Sequence, residues 1–180
     1  TGVTVQLMEE TMDTGPILSQ EKVPIGPRET TPSLKDILIP VGCELLMKSL
    51  PGWVSGQLQP VPQDDSHATY CYMHDISKEK AQIPWKTESA EHIDRMVRAL
   101  LPWPVAWTIL PDGTTVKIFE AHLERKSVKA EPGDIVAGEK QLMFATLDAE
   151  TILNATIGQP AGKNKMYGEE FLRGSRLTTH

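Results

Sequence analysis

The sequence predicts part of an α/β domain followed by a small β-barrel that carries one helix. Residues 1–57 hold two strand-like runs and one long apolar segment with helix signals. Residues 58–68 are rich in Pro and polar side chains, which is typical of a linker. Residues 69–180 hold one amphipathic helix and five short strand-like runs at close spacing, the pattern expected of a small barrel.

The first segment contains a strand, a bend, a second strand and a helix. "TGVTVQLM" and "PILSQEKVPI" alternate or cluster β-branched and apolar residues, and both predict strands. "ETTPSLKDILIPVGCELLMKSL" predicts a helix with Thr31 as its N-cap and Pro32 in its first turn. Pro40 and Gly42 are expected to break or kink it. Two strands and one helix bury too little surface to fold alone, so we expect earlier strands of the same domain.

The later segment begins with a helix and continues with strands. Apolar residues at i, i+3, i+4 and i+7 predict a helix that Thr87 or Ser89 caps and Pro102 ends. Pro-Asp-Gly between "VAWTIL" and "TVKIFEAHL" predicts a hairpin. "GDIVA", "QLMFATL" and "ETILNATI" predict three more strands, and "GEEFLRG" a closing helical turn. We expect core packing, rather than ligand binding, from Met96 and from Trp85, Trp103 and Trp107.

Composition excludes several classes of protein. The chain has 180 residues, 39% hydrophobic and 23% charged, with a net charge of −6, which fits a soluble globular protein. We find no apolar run near the roughly 20 residues that span a bilayer, and no secretory leader, so no membrane association is expected. Cys43 and Cys71 lie far apart and the histidines show no metal-ligand spacing, so we expect neither a disulfide nor a metal site.

Two small basic clusters interrupt the acidic background. One lies near the end of the sequence at Lys163, Lys165 and Arg173, and the other at Arg125 and Lys126. Such clusters are either solvated loops or contacts to nucleic-acid phosphates.

One carboxylate, Asp13, stands in the bend "MEETMDTGPIL". Asp-Thr-Gly also marks aspartic proteases, whose dyad needs two such loops or a dimer of one. Only one such loop occurs here, and the polar run Glu9-Glu10-Thr11 precedes it where an apolar strand end is usual. The sequence therefore disfavours a protease and leaves two readings, a catalytic carboxylate of another kind or a turn former.

Four segments, in order, resemble the methionyl-tRNA formyltransferase family: "TGVTVQLMEETMDTGPIL", "PQDDSHATY", "AEHIDRMVRALLPWPVAW" and "GQPAGKNKMYGEEFLRG". The resemblance implies the end of a Rossmann-like formyltransferase domain over 1–57, a linker over 58–68 and an OB-like tRNA-binding domain over 69–180. It implies a cytoplasmic, monomeric enzyme that moves a formyl group from 10-formyltetrahydrofolate to the amino group of initiator methionyl-tRNA.

The same resemblance assigns roles to residues. Asp13 matches the catalytic Asp of the family, with Thr14 and Gly15 beside the folate. The basic residues that would contact tRNA are Lys163, Lys165, Arg173, Arg125 and Lys126. The family's catalytic Asn and His stand in an Asn-x-His segment that would precede residue 1, so we expect this chain alone to be inactive.

The chain departs from the family pattern at two places that bear on tRNA contacts or local structure. Pro84 stands where the family commonly has Asp, and Cys71–Asp75 stands where a basic residue usually follows Thr-Tyr. Two alternatives stay open: a folate-dependent formyltransferase that acts on a sugar-nucleotide amine, and a non-catalytic RNA-binding module.

Overall fold

The computed structural model describes residues 1–136 and 141–173 and divides into two compact units, Thr1–Cys71 and Tyr72–His180. The predicted linker, 58–68, falls within the first unit. It includes a single bridge at Val61 and a short 3-10 turn at Asp65–His67.

The first unit contains an antiparallel pair of strands and a long helix. Strand β1 (Gly2–Gln6) pairs with β2 (Ile17–Lys22), and helix α1 (Thr31–Val54) follows. Both predicted strands and the predicted helix are confirmed in type and order.

Helix α1 differs from its prediction at both ends and in the middle. Its N-cap is Thr30, not Thr31: the Thr30 hydroxyl accepts from the Ser33 N–H at 3.3 Å, and the Ser33 hydroxyl accepts from the Thr30 N–H at 2.9 Å. The helix runs on through Pro40 and Pro51, so it does not break at Pro40 or Gly42, and the alternative of a kink there stays a prediction. At Gly42, where an added Cβ would lie 3.2 Å from Val3 Cγ1, the helix packs closely on β1. This tertiary contact outweighs the local propensity to end the helix.

The surface of α1 is apolar and open in the first unit. Its only buried residue is Ser49, and large side chains including Ile39, Met47 and Val54 are exposed. A groove of about 840 Å³ runs between β1 and α1. Among the described residues, α1 is the one helix that is long and apolar enough, by length and composition only, to cross a membrane. The expectation of no such run was therefore wrong, because the helix does not stop at Pro40.

The second unit is an antiparallel sheet with two helices. Helix α2 (Ala90–Ala99) has Ser89 as its N-cap and comes before the sheet. The other elements are β3 (Trp107–Ile109), β4 (Thr115–Arg125), β5 (Ile135–Val136), β6 (Leu142–Ala145), β7 (Thr151–Pro160), β8 (Met166–Tyr167) and α3 (Gly168–Arg173). The hydrogen-bonded order is β3-β4-β7-β6-β5, with β8 paired to β7. All five predicted strands and the closing helical turn are confirmed, and β8 was not predicted.

The core of the second unit lies between α2 and the sheet. Trp85 is buried, stacks on Phe144 with ring centroids 5.0 Å apart, and donates its indole N–H to the Thr108 hydroxyl at 2.8 Å. Met96 packs against this cluster as predicted. Trp103 is 56% exposed, so its predicted place in the core was wrong. It lies in the turn after α2, where the chain leaves the core before β3 begins.

Candidate functional site

The bend between β1 and β2 places Asp13 at an exposed corner of the first unit. Asp13 has a positive φ of 62°, a left-handed conformation that is uncommon for a residue other than Gly. Two bonds within the bend hold it: the Thr14 hydroxyl donates to the Thr11 carbonyl at 3.0 Å, and the Leu7 N–H donates to the Pro16 carbonyl at 3.0 Å. The bend is thus a defined loop.

Gly15 is required by the packing of this loop. It is buried, and a Cβ added there would lie 1.7 Å from the carbonyl oxygen of Leu7. No side chain fits at that distance. The space beside the Gly15 Cα is therefore occupied by the protein itself, and a contact with folate at this residue stays a prediction.

The Asp13 carboxylate faces solvent and has no hydrogen-bond partner among the described residues. It does not line the groove between β1 and α1. An exposed carboxylate can accept a proton or orient an imidazole, but it cannot donate to a developing oxyanion. The catalytic role of Asp13 therefore stays a prediction, and its carboxylate alone cannot supply the donors that a developing oxyanion needs.

One linker residue contacts this loop and was missed in the sequence. The side-chain amide nitrogen of Gln63 lies 2.8 Å from the Asp13 carbonyl oxygen and 2.8 Å from that of Gly15. Fifty residues separate Gln63 from Asp13, and a Gln in a Pro-rich stretch carries no signal of such a contact.

In the second unit, the structure brings together the basic residues that follow β7. Lys163 and Lys165 are exposed, and the Lys165 ammonium lies 3.7 Å from the centroid of the Phe119 ring. Gln159 donates its side-chain amide to the Lys163 carbonyl at 2.9 Å and pairs across the sheet with Lys117. Lys117 is exposed and joins this cluster, which we call the β7-loop cluster: Lys117, Lys163 and Lys165.

The other predicted basic residues lie at the end of β4, just after it, or in α3. Arg125 ends β4, six residues beyond Phe119, which places it about 20 Å along the strand from the β7-loop cluster. Lys126 follows it and donates its N–H to the Glu150 carbonyl at 2.9 Å. Arg173, in α3, forms an ion pair with Glu169 one helical turn earlier. The five predicted residues therefore do not form one surface patch.

The two departures from the family pattern have local structural accounts. The Pro84 carbonyl accepts the N–H of Thr87 at 3.1 Å and of Glu88 at 3.2 Å, so this turn closes without an Asp side chain. In the second departure, the Asp75 carboxylate accepts the Tyr72 N–H at 2.8 Å and contacts Lys80 at 3.1 Å. The Tyr72 N–H, followed by Lys80, lowers the pKa of Asp75.

Within residues 1–136 and 141–173, no group of three His, Cys, Asp or Glu side chains is placed to hold a metal ion. Cys43 and Cys71 are exposed free thiols.

Comparison with known proteins gives the family. The model described as "Formyl transferase, C-terminal domain" matches residues 75–176, and the one described as "Formyl transferase" matches residues 1–50. The methionyl-tRNA formyltransferase of Halalkalibacterium halodurans is 39% identical over 175 residues, which is 97% of this chain and 54% of that protein. That of Listeria monocytogenes serotype 4a shows the same identity and coverage. The chain thus spans about half the length of the curated relatives it matches.

Solved structures of lower identity share the fold. HypX from Aquifex aeolicus in complex with tetrahydrofolic acid has a TM-score of 0.71 at 20% identity, over 99% of this chain and 32% of that one. The N-formyltransferase from Helicobacter canadensis, in complex with folinic acid and dTDP-3-aminofucose, has a TM-score of 0.66 at 20% identity, over 86% of this chain and 55% of that one. Because one family model covers more than half of the chain and a second covers the segment that holds Asp13, the chain belongs to the formyl transferase family.

Proposed function

We propose that this chain is the C-terminal part of a methionyl-tRNA formyltransferase, with 10-formyltetrahydrofolate as formyl donor and initiator methionyl-tRNA as acceptor. One observation carries the proposal: curated proteins of that name are 39% identical across 97% of the chain, through both units. The solved N-formyltransferase from Helicobacter canadensis, in complex with folinic acid and dTDP-3-aminofucose, has only 20% identity and supports the fold alone. The proposal includes a cytoplasmic monomer and an OB-like second unit.

The chemistry expected of Asp13 follows from the reaction. The acceptor amine attacks the formyl carbon, a C–N bond forms, the bond from that carbon to the donor nitrogen breaks, and one proton passes from the amine to the donor nitrogen. A carboxylate can orient a neighbouring imidazole and help to carry that proton through water. The exposed carboxylate of Asp13, on a loop fixed by its own hydrogen bonds, suits this part.

The donors for the formyl oxygen must come from other residues. Charge gathers on that oxygen during attack, and it needs N–H or O–H groups aimed at it. Asp13 does not line the groove between β1 and α1. The described residues near Asp13 therefore fit the proton-transfer step, and we assign them no other role in the reaction.

The tRNA is proposed to contact the β7-loop cluster. Lysines neutralise phosphates, and an aromatic ring can stack with a base. Phe119 is half-buried and lies two residues after Lys117 on β4, with the Lys165 ammonium over its ring. Arg173, already paired with Glu169, is the weaker candidate of the predicted set.

The test is a fused protein in which the leading part of the Halalkalibacterium halodurans relative is joined to Thr1. We expect it to formylate methionyl-tRNA, while the 180-residue chain alone shows no turnover. Asp13→Asn should lower kcat about 100-fold or more, in the range for loss of a general acid–base group. Asp36→Asn, at an exposed position of α1, is the matched control and should leave kcat unchanged.

The alternatives give different results in the same assay. Turnover of a dTDP-amino sugar without turnover of methionyl-tRNA would show that the acceptor is a sugar-nucleotide amine, while the formyl-transfer reaction of the proposal stands. An inactive fusion whose chain still binds tRNA with normal salt dependence would favour the RNA-binding module. An Asp13→Asn fusion as active as the unsubstituted one would remove Asp13 from the mechanism.

A further inference from the structure

The chain that follows α1 returns to the sheet of the first unit. The Ile17 N–H donates to the Val61 carbonyl and the Val61 N–H to the Ile17 carbonyl, both at 2.8 Å. This reciprocal pair gives β2 a one-residue antiparallel neighbour. Part of the predicted linker is thereby fixed to the domain that carries Asp13.

Two residues beyond this bridge, Gln63 places its amide nitrogen between two carbonyls of the Asp13 loop. The nitrogen lies 2.8 Å from the Asp13 oxygen and 2.8 Å from the Gly15 oxygen. It also lies 3.3 Å from Oε1 of Gln6, at the end of β1. A primary amide has two N–H bonds, so the two shorter contacts use both. The opposite amide orientation would set an oxygen against two carbonyl oxygens, so this orientation follows from the contacts.

The loop needs such support because its backbone is strained. Asp13 adopts a positive φ of 62°, and a non-Gly residue in that region costs about 1 kcal/mol. The hydroxyl of Thr14 supports the start of the loop, at Thr11. Among the described residues, Gln63 alone donates hydrogen bonds to the carbonyls of Asp13 and Gly15. The Asp13 carbonyl lies in the peptide plane that follows Asp13, and the Gly15 carbonyl lies two peptide units further on, so the two contacts together restrain the backbone from which the Asp13 Cβ projects.

From these contacts we infer that Gln63 is a positioning residue for the Asp13 carboxylate: its amide fixes the loop backbone from the segment that follows α1. The inference rests on the proposed function, in which Asp13 takes part in formyl transfer. Gln63 itself touches no reacting atom.

The first test uses the fused protein and reads the loop directly, without a turnover measurement. Backbone order parameters of Asp13, Thr14 and Gly15 are measured by NMR in the unsubstituted fusion and in its Gln63→Ala variant. We expect values typical of rigid backbone, about 0.85, to fall below about 0.6 in the variant. Gln59→Ala is the matched control, because Gln59 also bonds a carbonyl, that of Gly56 at 2.8 Å, away from the loop. Unchanged order in Gln63→Ala would overturn the inference.

The second test measures catalysis in the fused protein. Gln63→Ala should lower kcat about 10-fold with the KM for methionyl-tRNA unchanged, while Gln59→Ala leaves both unchanged. The double variant Asp13→Asn/Gln63→Ala should be no slower than Asp13→Asn alone, since Gln63 acts through Asp13. Additive losses would show a general structural role and overturn the inference. If the unsubstituted fusion is inactive, the proposed function fails, and the order parameters alone decide whether Gln63 holds the loop.

Discussion

The side-chain amide of Asn154 donates to Oε1 of Glu124 at 2.7 Å, across the pairing of β7 with β4. Asn154 is 1% exposed, and its amide also donates to the Gln141 side chain at 2.9 Å. Nε2 of His122 lies 2.7 Å from the same Glu124 oxygen. The Asn154 hydrogen bond, and then His122, lowers the pKa of Glu124 below its ordinary value near 4.5.

This lowered pKa predicts how acid affects the second unit. A carboxyl group whose pKa is lower in the folded state adds stability above its unfolded pKa, and that stability is lost as the pH falls through the folded pKa. We expect Glu124→Gln to reduce the free energy of unfolding by about 1 kcal/mol at pH 7, because a hydrogen bond to a charged acceptor becomes a neutral one. The difference should shrink steadily below pH 4.5.

Urea unfolding between pH 7 and pH 3 measures this difference. Tryptophan fluorescence is a suitable signal because three of the four tryptophans lie in the second unit. The control is Glu150→Gln, at an exposed position, which should follow the unsubstituted protein throughout. If the free energies of unfolding of Glu124→Gln and the unsubstituted protein differed by the same amount at all pH values, the prediction would be contradicted.

Gly133 and Gly113 have similar φ angles, but we expect their substitution by Ala to reduce the free energy of unfolding by different amounts. Gly133 and Gly113 have φ values of 96° and 83°. A Cβ on Gly133 would lie 2.8 Å from Cδ1 of Trp85, whereas a Cβ on Gly113 would meet nothing within 4 Å. We expect Gly113→Ala to cost about 1 kcal/mol from its backbone angle alone. Gly133→Ala should cost about 1–3 kcal/mol more, because Trp85 must move. Equal losses of unfolding free energy in the two variants, measured by urea unfolding, would show that the Trp85 side chain moves aside at no energetic cost.

The elements predicted correctly from sequence are those that local signals define. The Pro-Asp-Gly turn sets the β3–β4 hairpin through Gly113, and the Leu110 N–H and Thr114 carbonyl close it at 2.9 Å. Ser89 caps α2, accepting the His92 N–H at 3.2 Å, and the apolar stripe of α2 meets the sheet. In both cases the residues that decide the structure are within a few positions of each other.

The features that sequence did not reveal depend on contacts between distant residues. Helix α1 continues through Pro40, next to its close contact with Val3 at Gly42, nearly forty positions along the chain. Gln63 reaches the Asp13 loop across fifty positions. Lys117 joins Lys163 only because β4 pairs with β7. Charge and turn patterns identified Asp13 and the basic residues as candidates, but not which of them lie together.

Because α1 is continuous, we expect substitution of two of its prolines by Ala to have different effects on the stability of the helix. Pro32 lies in the first turn, where its missing N–H has no partner to lose, so Pro32→Ala should change little. Pro40 lies in the interior, where it removes a hydrogen bond and crowds the preceding turn. Pro40→Ala should raise the protection of α1 amides against hydrogen exchange by about 1–3 kcal/mol. Equal protection in both variants would mean that Pro40 does not destabilise α1 in this structure.

The β7-loop cluster predicts how tRNA binding to the 180-residue chain depends on salt. Each lysine that neutralises a phosphate adds about 0.9 to the slope of log affinity against log salt concentration. Lys163→Gln and Lys117→Gln should each reduce that slope by about 1. Lys165→Gln should also weaken binding, because it removes the cation above Phe119. Arg173→Gln tests the other candidate surface, on α3: because its guanidinium is already paired with Glu169, we expect the slope to stay the same. Filter-binding titrations with tRNA at several salt concentrations measure the slope for each variant. A slope that falls only for Arg173→Gln would contradict the prediction and place the RNA on α3 instead.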